Sequence, residues 1–283
     1  MSLNLAQLRA FVAVVEAGGF GAAAPALGIS QSAVSHAVAA LERTVGRPVI
    51  RRDGATSRPT AFGMRLLDHA RTAVAAAEAI TGLAAEAAGG PSGTIRLGTV
   101  STVCLGLLPR LLAGWRAEFP AVSVRVFEGD DDEVADWLAA RTVEAAILVD
   151  PPRTTGVQVG SDEFHALLPA DHPLAAEPVI DAADLADDPF LLSLGGCEPH
   201  VEEVHRRAGV PLRPTHRVRE LSTLVAMVRA GLGVSVVPGL AAAMLDEGLV
   251  LVPLRQRLHR RLILTGPLDR PWHPAVTALV ESV

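Results

Sequence analysis

Residues 20–39, Phe-Gly-Ala-Ala-Ala-Pro-Ala-Leu-Gly-Ile-Ser-Gln-Ser-Ala-Val-Ser-His-Ala-Val-Ala, constrain this chain more than any other stretch. They read as two helices joined by a sharp turn. Ala23, Ala24 and Leu27 give the first helix an apolar face, and Gly28 stops it, because glycine reaches the left-handed conformation without steric cost. Ile29 is expected to plug the gap between the helices and Ser30 to cap the second. Val34, Val38, Leu41 and Val45 recur at helical spacing and should face a core. Gln31, Ser32, Ser35 and His36 then lie outward near the N-terminus of the second helix. Short polar side chains in that place are what a helix in the major groove uses to read base edges. An alanine-rich helical hairpin with a polar outer face is the plainer alternative.

The charge distribution bears on that choice. The chain of 283 residues carries a formal charge of −6, which on average opposes contact with a polyanion. Through Thr60, however, Arg9, Arg43, Arg47, Arg51, Arg52 and Arg58 stand against only Glu16, Glu42 and Asp53. A basic head on an acidic body is what phosphate binding requires. So small an excess arises easily by chance and counts only because it coincides with the helix pair.

Leu5 to Ala17 reads as a first amphipathic helix with Leu5, Leu8, Phe11, Val12 and Val15 buried. Val49–Arg52 and Ser57–Thr60 flank Asp53-Gly54, a favoured tight-hairpin turn. This makes the wing of a winged helix, directing Arg51, Arg52 and Arg58 at phosphates, with Thr60 beside them and able to cap the next helix. That helix, Ala61 to Ala88, is about 40 Å long at ~1.5 Å per residue. Leu66, Leu67, Ala70, Val74, Ala77, Ile80, Leu83, Ala84 and Ala87 form one ridge along it. A sixty-residue head cannot cover such a ridge, so a second copy of the chain is the expected partner, as homodimer or homotetramer. Packing within one chain is the alternative.

Gly89-Gly90-Pro91-Ser92-Gly93 reads as a hinge. Beyond it, a strand at Thr94–Val100, a helix at Cys104–Phe119, a strand at Val122–Phe127, a helix at Glu133–Arg141 and a strand at Ala145–Val149 alternate. That succession implies a parallel sheet with helices on both faces. Pro189–Leu194, Val201–Ala208, Leu221–Ala230 and Val234–Val237 repeat the logic. The expected α/β architecture is a winged helix-turn-helix head at 1–60, a linker helix at 61–90 and a two-lobed body at 91–283. One lobe spans about 91–160 plus 266–283 and the other about 161–265.

Ligands of open α/β sheets sit at the carboxyl ends of strands. The first body strand runs into Ser101-Thr102, whose hydroxyls and free helix-start N–H groups suit an anion, most simply a carboxylate. Ser193 ends a strand of the other lobe, and Gly195-Gly196 would let backbone approach a ligand. A simple capping role for Ser101 and Thr102 is the alternative.

No catalytic constellation emerges. The nine histidines show no His-Glu-x-x-His spacing. Nucleophile elbow, P-loop and dinucleotide fingerprint are missing, so neither an enzyme nor a cofactor or metal is expected. Asp130-Asp131-Asp132-Glu133 reads as a solvated acidic run favoured by a helix dipole rather than as a cation site. Cys104 and Cys197, the two cysteines, are too few for a disulfide framework and fit a reducing cytoplasm. Both are expected near the cleft mouth, where thiolate chemistry and inert burial are both open. With 49% apolar residues, no long uncharged apolar run and no secretory-signal pattern, no membrane is expected as a partner.

Taken together, the chain resembles the LysR-type transcriptional regulators over essentially its full length. In the head the resemblance rests on Phe11, Ala23-Ala24, Leu27, Ser30-Gln31, Ala33-Val34-Ser35, Leu41-Glu42, Gly46, Arg52, Thr60 and Gly63. In the body it rests on Gly93 to Gly98 and on Val228 to Pro238. It implies sequence-specific binding of double-stranded DNA, controlled by a small-molecule effector held where Ser101, Thr102, Ser193, Gly195 and Gly196 are expected. The sequence departs from the family at Gly19-Phe20-Gly21, with Gly21 read as an N-cap that puts Pro25 in the first helical turn. It departs also at Val49-Ile50 and at Arg141 and Glu144. A small-molecule binding module whose head does not read DNA is the alternative function.

Overall fold

The structure, a computed structural model, describes residues 3–53, 56–153 and 155–283. It divides into two compact units, Met1–Gly90 with Ala140–Thr142, and Pro91–Ala139 with Val143–Val283.

The N-terminal unit contains α1 (Leu5–Glu16), α2 (Phe20–Leu27), α3 (Gln31–Val45), β1 (Ile50–Asp53), β2 (Thr56–Pro59) and α4 (Ala61–Gly89). A reciprocal capping box between Asn4 and Gln7 starts α1. Leu8, Phe11, Val14, Phe20, Val34 and Leu41 form the centre of its core. Val14 is fully buried, whereas Leu5 and Val15 are only partly covered. Gly28, at φ 65°, ends α2 in the left-handed region.

Two local expectations fail here. Ile29 is 46% exposed, because Phe20, Ala23 and Ala24 already occupy the core side of the helix pair. The buried Phe20 ring also draws α2 back to start on Gly19. Pro25 is therefore the sixth helical residue, and the Gly21 carbonyl loses its intrahelical donor.

β1 and β2 pair antiparallel with Arg51 opposite Arg58. Gly54 of the expected turn and the Arg52 side chain lie outside the described residues. The ridge of α4 falls into two parts. Leu67, Ala70 and Val74 are buried in the core of the head, whereas Ile80 and Leu83 are 68% and 58% exposed. The expectation that Val74 faces a second chain is thus corrected: α4 packs on α1, and an Arg71–Glu16 ion pair at 3.2 Å closes that contact. The Ala87 side chain lies outside the described residues.

The C-terminal unit runs β3 (Gly93–Thr99), α5 (Ser101–Gly106), α6 (Leu108–Glu118), β4 (Val122–Glu128), α7 (Asp131–Ala139), β5 (Ala145–Val149) and β6 (Val157–Pro169). It continues with β7 (Phe190–Ser193), α8 (Glu198–Ala208), β8 (Pro214–Val218), α9 (Leu221–Arg229), β9 (Ser235–Pro238), β10 (Leu249–Pro253), β11 (His259–Thr265) and α10 (Pro274–Glu281). β3 pairs parallel with β4 and β5, as the alternation predicts. The sheet as a whole is mixed, because β11 runs antiparallel to β5 and the 13-residue β6 runs antiparallel to β11, β9 and β10. β6 thereby serves two cores. Ile95, Leu97, Ile147, Leu262 and Leu264 belong to one, and Phe164, Leu168, Phe190, Val201 and Val236 to the other. β11, expected in the second lobe, packs Leu262 and Leu264 into the first core beside β5.

The expected helix Cys104–Phe119 is broken at Leu107 into α5 and α6. Pro109 cannot donate to the carbonyl of Leu105, and its ring would clash there in a continuous helix. At the Arg141 and Glu144 departures, Arg141 holds φ 63° without being glycine, and Glu144 accepts from the Arg96 N–H at 2.7 Å while pairing with its guanidinium. Among the described residues no helix is long and apolar enough to cross a membrane.

Candidate functional site

Two places in the molecule concentrate chemistry, one in each unit. In the head, Ser30 caps α3 by accepting from the Ala33 N–H at 3.2 Å. Val34, Val38 and Leu41 are buried on the inner side of α3. Gln31, Ser32 and His36 are consequently exposed on the outer side, and Ser35 is half-buried. Arg43, Arg47, Arg51 and Arg58 are exposed as well. The Arg47 guanidinium lies 5.9 Å from the centre of the Phe62 ring.

Thr60, grouped by sequence with the phosphate contacts, has an internal task. Its hydroxyl donates to the Pro48 carbonyl at 2.8 Å and accepts from the Gly63 N–H at 2.9 Å. It thus locks the start of α4 to the start of the wing. Glu42, counted in the sequence only as an opposing charge, has a comparable role. Its Oε1 accepts from the N–H groups of Val49 and Ile50 at 2.9 and 3.2 Å, tying the wing to α3. No local pattern announces this, because the partners lie seven and eight residues away across a turn.

The second place is a cavity of about 180 Å³ in the C-terminal unit. Ser101, Thr102, Ser193 and Gly195, separated by some ninety residues of chain, all line it. Ser101 and Thr102 open α5, and Ser193 ends β7. Gly196 instead makes room for a carboxylate: it holds φ 89°, and a Cβ there would overlap Asp131. The helix that Ser101 opens has only six residues, so its dipole offers an anion little.

Arg260, which carries no sequence motif, organises the cavity floor. Its Nη2 donates to Thr102 Oγ1 at 2.7 Å and to Asp162 at 2.8 Å, and all three side chains are buried. A lone arginine in a strand gives no sequence signal of such a role. Arg219, at the mouth, reaches Asp130 and Glu133 at 3.3 and 3.1 Å. Those two carboxylates also cap the start of α7 reciprocally, but the run is not solvated throughout as expected, since Asp131 is half-buried. Asp131 makes no such contact, and burial raises its pKa above the ordinary carboxylate value.

Cys197 is buried against the cavity, and burial pushes its thiol up to about 11. Cys104 is half-buried and also raised to about 11, chiefly by burial and then by Glu128. Both are thiols at neutral pH, which favours inert burial over thiolate chemistry. His200 stacks on Phe164 with ring centres 5.0 Å apart, and its Nε2 lies 3.4 Å from Asp150.

Comparison with known proteins agrees with this division. Residues 5–64 match the model of the bacterial regulatory helix-turn-helix protein, lysR family, and residues 88–283 match the LysR substrate binding domain. The HTH-type transcriptional regulator YvbU of Bacillus subtilis is 31% identical over 283 residues, covering 99% of this chain and 97% of that protein. A probable hydrogen peroxide-inducible genes activator of Mycobacterium avium is 37% identical over 241 residues, covering 83% and 78%. A full-length OxyR variant from Pseudomonas aeruginosa superimposes with a TM-score of 0.73 at 25% identity, covering 100% of this chain and 95% of that one. With its helix-turn-helix head, its mixed α/β body and both domain models matched in order, the chain belongs to the LysR family of DNA-binding transcriptional regulators.

Proposed function

We propose that α3 reads an operator through Gln31, Ser32, Ser35 and His36 while Arg51, Arg52 and Arg58 hold phosphates. The observation that carries this is the outward polar face at the start of α3, set beside exposed arginines of the wing. Side chains at the first turns of a groove-binding helix reach base edges, and arginines flanking it reach the backbone. Thr60 leaves this set, since its hydroxyl is engaged within the head. In the body, a small-molecule effector occupies the cavity lined by Ser101, Thr102, Ser193 and Gly195. The division into a head at 1–60, a linker at 61–90 and an effector-binding body at 91–283 follows the same reading. So does a cytoplasmic place of action, where the DNA is.

The exposed Ile80 and Leu83 of α4 offer a second copy of the chain an apolar surface, and two linked heads would read two half-sites together. A regulator rather than an enzyme is the reading that the relatives support. The peroxide-inducible relative brings an oxidant to mind as a signal, but a buried thiol held near 11 is a poor nucleophile toward one.

Competitive binding of the purified protein to operator and random DNA tests the head. Gln31→Ala is expected to lower discrimination by ~1–3 kcal/mol. Arg58→Ala is expected to weaken both DNAs alike and to flatten the salt dependence by about one phosphate contact. Equal losses on both DNAs for Gln31→Ala would remove it from the reading set.

A further inference from the structure

The lining of the cavity is dominated by carboxylates. Glu128, Asp130, Asp131, Glu133 and Glu220 stand against Arg219 and Arg260. Both arginines are already matched, Arg260 by Asp162 and Arg219 by Asp130 and Glu133. Of the carboxylates, the exposed Glu128 and the half-buried Asp131 have no side-chain partner among the described residues. Asp131 makes neither hydrogen bond nor ion pair among the described residues, with Arg260 and His200 acting on it only at longer range. The left-handed Gly196 clears space for this unmatched group.

Ser193 supplies an independent observation. It is 2% exposed and lines the cavity, yet its hydroxyl has no hydrogen-bond partner among the described residues. Its Oγ is not among the buried polar atoms left without a partner, so the hydroxyl opens into the cavity and is available to what enters it.

An anion entering here would meet an uncompensated carboxylate and a helix too short to attract it. A cation would relieve both unpaired groups. We infer that the cavity takes a small amine, its ammonium held by the Asp131 carboxylate and the Ser193 hydroxyl. This rests on the cavity being the effector site and replaces the organic acid expected from sequence. An ammonium presents three donors and no acceptor, so Asp131 matches its charge and Ser193 Oγ accepts one of its N–H groups. Thr102, which accepts from Arg260, keeps its own proton for an oxygen on the ligand. A short amino alcohol therefore satisfies the cavity more fully than a simple amine.

The test uses the full chain and four probes of matched size: 4-amino-1-butanol, butylamine, butyrate and 1-butanol. Titration calorimetry is expected to show saturable binding of the two amines, tightest for the amino alcohol, and none of butyrate. Asp131→Asn should weaken the amines about tenfold or more, since a charge-assisted contact is lost, and Ser193→Ala about fivefold. Asp132→Asn, on the exposed neighbour, should leave binding within about twofold. Without ligand, Asp131→Asn should melt no lower than the parent, because it removes an unmatched half-buried charge. A marked drop would make Asp131 a structural group and overturn the inference. Butyrate binding in place of the amines, weakened by Ser193→Ala, would overturn the amine class and leave the cavity as the effector site. Amine binding indifferent to both Asp131→Asn and Ser193→Ala would overturn the inference and the effector site together. Failure of both amines to bind saturably overturns the amine class.

Discussion

Thr102 Oγ1 accepts a 2.7 Å hydrogen bond from Arg260 Nη2, the same nitrogen that reaches Asp162 at 2.8 Å. Thr102 and Arg260 are each 3% exposed, so water reaches this bond only through the cavity that both residues line. Thr102→Val keeps the shape of the side chain but leaves a buried guanidinium N–H short of an acceptor. The C-terminal unit is expected to lose ~1–3 kcal/mol in urea denaturation, and Thr102→Ser to lose much less. Equal midpoints for Thr102→Val and the parent would show that Arg260 is satisfied by Asp162 alone.

The two parts of α4 separate folding from assembly. Val74 is 7% exposed within the core of the head, so Val74→Arg is expected to unfold that unit, at a cost on the order of 3 kcal/mol or more. Ile80→Arg and Leu83→Arg change side chains 68% and 58% exposed and should leave the melting of the head intact. Sedimentation should then show dissociation for those two variants. An Ile80→Arg, Leu83→Arg double variant that remains a dimer would place the subunit contact elsewhere.

Glu42 and Thr60 hold the wing from opposite ends. Glu42→Ala strips the acceptor from the Val49 and Ile50 N–H groups and should cost the head ~1–3 kcal/mol. Glu42→Gln keeps a carbonyl there and should cost less. Thr60→Val, which removes a helix cap, should cost ~1 kcal/mol. Chemical denaturation followed by circular dichroism reads these losses. If Glu42→Ala were neutral, the wing would be held by its own ladder.

His205 makes the C-terminal unit sensitive to acid. It is buried, its Nδ1–H donates to the Val201 carbonyl at 2.8 Å, and its ring meets Phe190 edge-on. Burial lowers its pKa below 6.5, the backbone bond offsetting only part of that. The native state therefore binds its proton less readily than the unfolded chain. The stability linked to His205 is full above 6.5 and is lost as pH falls below that value through the lowered native pKa. His205→Gln, which keeps a donor without titrating in this range, should show a flatter stability profile between about pH 7 and 5. Parallel profiles for variant and parent would remove His205 as the source.

The head is largely legible in the amino-acid sequence because its signals are local. Gly28 stops a helix by its own conformational freedom, Ser30 caps the next through a residue three positions on, and Val34, Val38 and Leu41 declare an inner face by spacing alone. The features of the head that spacing misplaces are non-local: the burial of Phe20 moves the start of α2, and packing of Val74 on α1 covers half of a ridge that periodicity reads as continuous.

In the body, sequence determined the parallel β3–β4–β5 unit and brought Ser101, Thr102, Ser193 and Gly195 to one prospective site, because strand ends and turns carry their own residue preferences. Tertiary structure decided the rest. β6 pairs with three strands that lie far along the chain, β10 and β11 among them, and strand partnership leaves no mark on composition. The charge of the cavity was likewise undecided in the sequence. An aspartate, an arginine and a serine are ambiguous until it is known which carboxylate each guanidinium meets. Asp162 claims Arg260, Asp130 and Glu133 claim Arg219, and Asp131 is left unmatched in the cavity that Ser193 also lines. Coulomb energies depend on distance and burial, and those exist only once the chain has folded.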